Sequence, residues 1–289
     1  CGASSERRLS EAVDELGETI RQTRETRLRG GLTAVPTGFP FLDERFLGGF
    51  KGGNLVTFAA RPGIGKTAVM LAMMMRQASQ GIPVKVWSLE MGHGELAERA
   101  MYALGGLRPG EKLSGNADWG GAWREARERL ERWGLYIEDR TFGLDEIVSD
   151  ITVSRQQGRC SAAYIDYLQL VSTAGGRNDT EERRISALTR RLKLLAKSLD
   201  IPIVINAQLN RDNVRNDRDP ELQDLRGSGS IEQDSDRVVF LSPRMSYDGA
   251  RLIKMAIGKN REGGHAGDSV LLRPNATYSE FEEVTQDAP

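Results

Sequence analysis

The segment Ala-Arg-Pro-Gly-Ile-Gly-Lys-Thr at residues 60–67 combines residue types at a spacing that suits phosphate binding. Gly63 and Gly65 allow backbone N–H groups to close around phosphate oxygens. Lys66 supplies a positive charge to the outer phosphates, and the Thr67 hydroxyl is a suitable ligand for Mg²⁺. The segment therefore predicts a site for a nucleoside triphosphate with Mg²⁺. The predicted contact residues in this loop are Arg61, Pro62, Gly63, Ile64, Gly65, Lys66 and Thr67.

The patterns on either side of this segment are those that a phosphate-binding loop requires. An apolar run, Leu55–Ala60, precedes it, and a helical pattern, Thr67–Ser79, follows it. A strand, a glycine-rich turn and a helix place the positive end of the helix dipole at the phosphates. Ala60 stands where the general pattern has glycine, so the match is not complete.

Two acidic residues in or after predicted strands are candidates for the chemistry of hydrolysis. Asp166 lies in the apolar run Ala163–Leu170, where a carboxylate is costly to bury without a cation or hydrogen bonds. We interpret it as the acid on the Mg²⁺ side, with an N-cap or turn residue as the alternative. Glu90 follows Val84–Leu89 and is placed to act as a general base on water, with a solvated strand-end residue as the alternative.

Polar residues after two later strands are further candidates. Gln208 follows the run Ile201–Ala207 and either senses the γ-phosphate, orients water or caps its strand. Lys259 and Arg261 lie in a glycine-flanked loop just beyond the run Leu252–Ile257. Such an arginine can stabilise charge on a transferring phosphoryl group, as an arginine finger does, and an ordinary surface loop is the alternative.

Apolar runs alternate with helical stretches from Asn54 onwards, which favours the α/β class: a mostly parallel central sheet flanked by helices. The run Val238–Leu241 adds a strand. A helix is predicted over Asp179–Leu199, which opens with Asp179 and Glu182 at capping-box spacing. Binding sites in such folds lie at the carboxyl ends of the strands. Two polar stretches are predicted functional loops, Thr173–Thr180 and Asn210–Gly229.

The N-terminal residues predict a helix that precedes the main body. Leu9, Val13, Leu16 and Ile20 recur at helical spacing and form one apolar stripe. The stretch Arg21–Gly31 is balanced in charge and ends in Gly-Gly, so we predict a connector there. The stripe packs either on its own chain or on a neighbouring copy, and we favour the neighbour.

The composition excludes several classes of protein. A chain of 289 residues with 39% hydrophobic and 28% charged residues predicts one large globular domain with a short appendage. Forty basic and 41 acidic residues give a net charge of −1, so any contact with nucleic acid must be local. Two cysteines and two histidines make neither a disulfide framework nor a zinc cluster, and Cys160 is interpreted as a core residue rather than a reactive thiol. The absence of a signal-peptide pattern or a long apolar run predicts a cytoplasmic location and no membrane partner.

Six motifs occur in an order that points to a family. From about Gly31 to Val284 the chain resembles the RecA-like motor domain of DnaB-type replicative helicases, whose phosphate-binding loop commonly starts with alanine. The motifs are Ala60–Thr67, Ser88–Met91, Tyr164–Leu170, Ala207–Arg211, Leu225–Asp236 and Lys259–Arg261. Six ordered motifs are far more specific than a phosphate-binding loop alone.

The resemblance implies a RecA-like P-loop NTPase that assembles into a homohexameric ring with ATP between subunits. Lys259 and Arg261 would then act on the neighbour's nucleotide. Gln208 would report the γ-phosphate, and Arg99 would be a further nucleotide contact.

The resemblance also implies a division of the chain. Residues 1–30 would be a linker helix and connector that hold the adjacent subunit, and residues 31–289 would be the motor domain. The family's N-terminal collar domain, which meets primase, is expected to be absent. A helicase loader and primase are the further partners that the family implies.

A loop that contacts single-stranded DNA is also implied. The family sequence Leu-Arg-Glu-Ser-Gly becomes Leu-Arg-Gly-Ser-Gly here, without the acidic residue. Arg226 and the backbone around Gly227 and Gly229 suit a grip on DNA phosphates that ignores sequence. Residues 211–226 contain four arginines and five acidic residues, so we expect weak affinity per subunit, raised by avidity in a ring.

The sequence therefore predicts the motor of an ATP-dependent, ring-shaped replicative DNA helicase that translocates on single-stranded DNA and unwinds duplex. One alternative is a RadA- or KaiC-like ATPase, which shares the fold and the Lys-Asn-Arg loop. Another is a ring or loader platform that binds ATP only to assemble and does not unwind DNA. A small-molecule kinase is a weaker rival, because the sequence offers no lid-like segment rich in arginine.

Overall fold

The computed structural model describes residues 8–28, 33–106, 119–173, 180–209, 218–225, 228–246 and 249–284. The helices in this part are α1 (Leu9–Leu28), α2 (Pro40–Arg45), α3 (Lys66–Ser79), α4 (His93–Gly105), α5 (Trp119–Glu131), α6 (Leu144–Gln156), α7 (Glu181–Leu199) and α8 (Ser228–Asp234). The strands are β1 (Leu55–Ala60), β2 (Val84–Ser88), β3 (Leu135–Glu138), β4 (Ala162–Asp166), β5 (Ile203–Gln208), β6 (Arg237–Met245), β7 (Arg251–Asn260), β8 (Ser269–Pro274) and β9 (Phe281–Val284). Parts of both predicted loops, residues 174–179, 210–217 and 226–227, lie outside the described residues.

The strands of the described part form one sheet in the order β3-β2-β4-β5-β1-β6-β7-β8-β9. The first six strands in this order are parallel, and β7, β8 and β9 follow as antiparallel neighbours. Ala60 at the end of β1 lies opposite Gln208 on one side and Leu241 on the other. The candidate residues that follow parallel strands therefore share one edge of the sheet. The predicted α/β class with a mostly parallel sheet is confirmed.

Helices cover both faces of the sheet. On one face, Val69 and Met73 of α3 belong to a buried cluster with strand residues such as Phe58. On the other face, Leu188 of α7 belongs to a second cluster with residues such as Ile205 of β5. The inner parallel strands are buried on both faces and are near-continuous apolar runs in sequence, which explains why their positions were predictable. The parallel strand β3 at the edge of the sheet was not predicted, because its residues are only partly buried.

Two predicted strands differ most from their bounds in the structure. The run Ala163–Leu170 ends as a strand at Asp166, and Leu168–Leu170 forms a 3₁₀ turn. The run Val238–Leu241 is the first part of the longer strand β6, because the more polar residues after it pair with β7 in an antiparallel hairpin. The hairpin continues past the point where Leu241 lies beside the end of β1.

The start of α7 also differs from the prediction. The helix begins at Glu181, and the Thr180 hydroxyl accepts a hydrogen bond from the Arg183 backbone N–H at 3.3 Å. A threonine hydroxyl at the N-cap satisfies an N–H group of the first turn that has no partner within the helix. The predicted capping role of Asp179 is therefore wrong, and Asp179 itself lies outside the described residues.

The N-terminal helix is longer than predicted and leaves its apolar stripe exposed. α1 continues to Leu28, so most of the predicted connector Arg21–Gly31 is helical, with an ion pair of 2.8 Å from Arg21 to Glu18 in the preceding turn. Leu9 is 81% exposed, and the three other stripe residues are more than half exposed. The stripe therefore does not fold back on the core of its own chain.

Two further observations concern membrane-spanning helices and the buried cysteine. No helix within the described ranges is both long enough and apolar enough to cross a membrane. Cys160 is buried, and burial raises the pKa of its thiol to about 12. Because the thiolate is the reactive form, this cysteine is an inert core residue, as interpreted from the sequence.

Candidate nucleotide-binding site

The loop between β1 and α3 has the backbone geometry of a phosphate-binding loop. Gly63 and Gly65 have φ values of +76° and +103°, in the left-handed region that favours glycine. Gly65 is the N-cap of α3, and no side chain caps this helix. The first backbone N–H groups of α3 are thus available to an anionic ligand, and the helix dipole favours one.

Lys66 lies within this loop with its ammonium group turned back to the end of β1. Its Nζ donates a hydrogen bond to the carbonyl oxygen of Ala60 at 3.2 Å. Burial lowers the pKa of Lys66, and the negative charges of Asp166 and Glu90 partly oppose this effect. A triphosphate in the loop would add negative charge and favour the protonated lysine.

Asp166 and Thr67, the two residues predicted to hold Mg²⁺, lie in direct contact. Asp166 is 1% exposed, and its Oδ2 accepts a hydrogen bond from the Thr67 hydroxyl at 2.6 Å. Its Oδ1 accepts a second hydrogen bond, from Asn206 Nδ2, at 2.8 Å. A hydroxyl and a carboxylate are the oxygen ligands that Mg²⁺ prefers, so these residues fit the predicted ion. The interpretation of Asp166 as an N-cap finds no support, because Asp166 is the last residue of β4 and Tyr167 is the N-cap of the 3₁₀ turn that follows.

Asn206 was missed from the sequence, although a signal was present. It is the polar residue in an otherwise apolar run, Ile201–Ala207. A buried amide in a strand needs hydrogen-bond partners, and here it orients the carboxylate of Asp166.

A cleft of about 1290 Å³ lies over the phosphate-binding loop. It brings together Pro62–Thr67, Glu90, Arg99 and Gln208, all of which were predicted to contact or act on a nucleotide. Arg61 begins the loop, but neither it nor the buried Asp166 is among the residues that line the cleft.

The walls of the cleft include residues that follow β2 and the last residue of β5. Glu90 lies between β2 and α4, and Arg99 lies on α4. The start of α4 is fixed because Asp139 accepts a hydrogen bond from the backbone N–H of His93 at 2.8 Å and lies 2.6 Å from its Nδ1. Gln208 ends β5 directly beside the end of β1.

Lys259 and Arg261 lie at the opposite end of the central strands, near the start of β1. The backbone N–H of Arg261 donates a hydrogen bond to the carbonyl oxygen of Asp236. The backbone N–H of Asp236 in turn donates to the carbonyl oxygen of Leu55, at the start of β1. The length of β1, about 17 Å at the usual rise per residue, therefore separates this end from the phosphate-binding loop. The structure does not bring the two residues to the cleft of their own chain.

The side chains of Lys259 and Arg261 contact the end of α8. Lys259 Nζ donates to the carbonyl oxygen of Glu232, and Arg261 donates to that of Gln233. Burial lowers the pKa of Lys259, and the nearby charge of Arg261 lowers it further.

The outer wall of the cleft was not predicted. It includes Arg244 of β6, Arg251 of β7 and Tyr278, which the sequence analysis did not single out. These residues were missed because the β6–β7 hairpin reaches past the end of β1, whereas the predicted strand stopped at Leu241. The Asp-Gly pair at 248–249, a common hairpin signal, would have indicated the antiparallel turn.

The predicted DNA contacts are only partly within the described residues. Arg226 and Gly227 lie outside them. Gly229 lies in the first turn of α8, which begins at Ser228. The last two residues of the predicted loop Asn210–Gly229 are therefore helical.

Comparisons with known proteins agree on one family. The sequence pattern described as "DnaB-like helicase C terminal domain" matches residues 34–283. The replicative DNA helicase DnaC of Bacillus subtilis (strain 168) is 33% identical over 274 residues, which are 90% of this chain and 60% of that protein. The replicative DNA helicase DnaB of Leifsonia xyli subsp. xyli is 36% identical over 288 residues, 96% of this chain and 61% of that protein. The chain thus spans about 60% of the length of these curated relatives.

Solved structures give the same result. The ATPase domain of G40P superposes with a TM-score of 0.83 at 29% identity and covers 97% of this chain and 100% of that domain. A DnaB-like replicative helicase, described with its interactions with primase, superposes with a TM-score of 0.81 at 28% identity over 96% of this chain and 67% of that one. Because the family pattern covers most of the residues and contains the candidate site, the chain belongs to the DnaB-like helicase C-terminal domain family.

Proposed function

We propose that this chain is the ATP-hydrolysing motor of a ring-shaped replicative DNA helicase, which translocates on single-stranded DNA and unwinds duplex. The observation that carries the proposal is the division of the site between two edges of one sheet. Lys66 lies at one edge, and Lys259 and Arg261 lie at the other. A head-to-tail interface between copies would join the two edges, and repeated interfaces of this kind close into a ring.

The chemistry that we propose uses residues of two copies. Lys66 and the N–H groups of the loop bind the phosphates of ATP, while Thr67 and Asp166 hold Mg²⁺, which neutralises phosphate charge. Glu90 accepts a proton from the attacking water, and Gln208 orients that water at the γ-phosphate.

Three further nucleotide contacts complete the proposed site. Arg99 contacts the nucleotide from the wall of the same cleft. Lys259 and Arg261 of the adjacent copy stabilise the charge that develops on the transferring phosphoryl group.

We also propose that α1 joins adjacent copies. Its apolar stripe is exposed, and a helix with such a stripe needs an apolar partner. A groove of about 350 Å³ between α4 and α5 offers one surface of this kind, lined by Met101, Trp123 and Leu130 among others. In this arrangement residues 1–30 link the ring and residues 31–289 are the motor.

The partners that we propose are single-stranded DNA and further copies of the chain. Arg226, Gly227 and Gly229 contact DNA phosphates from each copy, and the ring adds these weak contacts together. A primase and a helicase loader are partners expected from the family, and one structural neighbour is described with its interactions with primase.

Hydrolysis and unwinding by the purified chain test this function. Phosphate release from MgATP is measured with and without single-stranded DNA, and strand separation is measured on a forked duplex. We expect DNA to stimulate hydrolysis and the fork to be unwound, and Lys66→Ala to abolish both. Slow hydrolysis that DNA does not change, with no unwinding, would instead favour an assembly platform. The family match already argues against the RadA- or KaiC-like alternative.

A further inference from the structure

Two cations and a hydroxyl of the β6–β7 hairpin converge on one carboxylate, that of Asp219. Lys254 Nζ donates a hydrogen bond to Asp219 Oδ2 at 2.7 Å. The guanidinium of Arg244 donates to Oδ1, and the Ser242 hydroxyl lies 3.4 Å from the same oxygen. Burial raises the pKa of Asp219, but the bonds from Lys254 and Arg244 outweigh it and hold the pKa below its usual value. The carboxylate is therefore charged at neutral pH.

Asp219 belongs to a short segment, Arg218–Leu225, that contains ion pairs and hydrogen bonds between its own residues. Arg218 forms a two-pronged ion pair with Asp224, at 2.8 and 2.9 Å. The carboxylate of Asp224 also accepts a hydrogen bond from the backbone N–H of Glu221 at 2.9 Å. Such fork-to-fork pairs fix geometry as well as charge, so they favour a single arrangement of the segment.

This segment lies between two functional regions. At its end, Leu225 forms an isolated bridge with Leu209, which directly follows Gln208 of the nucleotide cleft. Arg226, the proposed contact to DNA phosphates, is the next residue along the chain. The segment is therefore joined directly along the chain to this proposed DNA contact.

The partners of Asp219 lie on the element that forms the outer wall of the cleft. Arg244 lines the cleft itself. Ile253, next to Lys254 in β7, packs beside the phosphate-binding loop: its Cδ1 lies 3.4 Å from where a Cβ of residue 65 would be. The hairpin thus contacts Asp219 through one set of residues and the nucleotide site through another.

We propose that Asp219 is a positioning residue that couples the segment Arg218–Leu225, which leads to the proposed DNA contact Arg226, to the nucleotide cleft through its ion pairs with Arg244 and Lys254. The inference rests on the proposed function. Without DNA, Asp219 holds the guanidinium of Arg244 and reduces the positive charge that the cleft offers to a triphosphate. When DNA at Arg226 shifts the segment, Arg244 is released toward the nucleotide. By linkage, nucleotide changes the affinity for DNA by the same factor.

The test measures the affinity of a ribose-labelled, non-hydrolysable ATP analogue with and without oligothymidylate. In wild type we expect the oligonucleotide to tighten nucleotide binding. In Asp219→Asn, Arg244 is no longer held by a carboxylate even when DNA is absent. The analogue should therefore bind about fivefold more tightly without DNA, and adding DNA should cause no further change. Asp219→Glu keeps the charge and should restore coupling.

Further variants separate coupling from a loss of structure. Arg244→Met should bind nucleotide about as wild type does without DNA but lose the tightening that DNA causes. The double variant Asp219→Asn/Arg244→Met should match Arg244→Met alone, because Asp219 acts through Arg244. Asp150→Asn is a matched control: Asp150 also pairs with a lysine, Lys85, at 2.6 Å, and its side chain is 30% exposed against 42% for Asp219. This control should leave the effect of DNA unchanged.

Several outcomes would overturn the inference. These are an unchanged DNA effect in Asp219→Asn, an equal loss in Asp150→Asn, and additive effects in the double variant. If wild type itself shows no DNA effect and no DNA-stimulated hydrolysis, the proposed function fails and the inference fails with it. If wild type responds to DNA and Asp219→Asn responds equally, only the inference fails.

Discussion

At the scale of single residues, the candidate site is held together by a buried carboxylate whose two oxygens are both hydrogen-bonded. Thr67 and Asn206 each donate to Asp166, and each bond fixes one oxygen. Removal of one donor from a buried charged acceptor leaves that oxygen without compensation and frees the carboxylate to rotate. The two donors have different roles, because Thr67 also offers a ligand to the ion and Asn206 does not.

We expect Asn206→Ala to raise the Mg²⁺ concentration required for half-maximal hydrolysis by about tenfold, as for other residues that orient metal ligands. The reason is that Asp166 loses the partner of its Oδ1. A magnesium titration of phosphate release measures the effect. Ser154→Ala, which removes another buried polar group far from the cleft in α6, should leave the titration unchanged. An equal shift in both variants would indicate general destabilisation instead.

The pKa of Lys66 predicts how nucleotide binding depends on pH. Burial lowers this pKa from its usual value of 10.5 in the empty site, and phosphate charge favours the protonated form. Binding therefore takes up a proton at alkaline pH, and affinity should fall as pH rises through the window that begins at the lowered pKa.

Calorimetry of an ATP analogue between pH 7 and 10, in buffers of different ionisation enthalpy, measures this uptake. Lys66→Met should bind more weakly but lose the alkaline fall. If the variant keeps the same fall as wild type, another group is responsible for the pH dependence.

At the scale of elements, the exposed stripe of α1 predicts how copies associate. Leu16→Glu and Ile20→Glu should weaken assembly by more than about tenfold, because a carboxylate would be buried without a partner at the interface. Gln22→Glu adds the same charge on the opposite face of the helix and is the control. Light scattering with a non-hydrolysable ATP analogue measures the assembled mass. Unchanged assembly in all three variants would show that α1 does not join copies.

Local patterns predicted the elements that surround the nucleotide better than those at the periphery. β1 has its predicted bounds, and α3 begins within one residue of its prediction, since a buried parallel strand and a glycine-rich turn are both visible in sequence. The predicted strand that corresponds to β6 ended too early, at Leu241, because the outer part of β6 is polar and half-exposed. As a result, Arg244 and Arg251 were not included in the predicted site.

At the scale of the whole molecule, the separation of the functional groups is the feature that sequence alone could not provide. Glu90, Asp166 and Gln208 were predictable as a group because all three follow or end parallel strands. The distance of Lys259 and Arg261 from them depends on β7 running antiparallel to β6, which spacing in the sequence does not reveal. The resemblance supplied their action on a neighbour, and the antiparallel hairpin gives a physical reason for it.

The balance of charge also belongs to this scale. A net charge of −1 gives no long-range attraction to DNA, so binding must come from a few repeated local contacts. We therefore expect the variants of α1 that prevent assembly to lose DNA affinity as well, although they leave Arg226 intact. Fluorescence anisotropy of labelled oligothymidylate measures this loss, with Gln22→Glu again as the control. Undiminished affinity in a variant shown to be monomeric would contradict the role of avidity.

The sharing of the catalytic site between copies is tested most directly by mixing two inactive variants. Lys66→Ala and Arg261→Ala should each lose hydrolysis by about a thousandfold or more when assembled alone. In an equal mixture, about a quarter of the interfaces would combine an intact Lys66 with an intact Arg261 from the adjacent copy, so hydrolysis should partly recover. If mixed assemblies form and no activity returns, or if Arg261→Ala alone hydrolyses ATP normally, the site is not shared in this way.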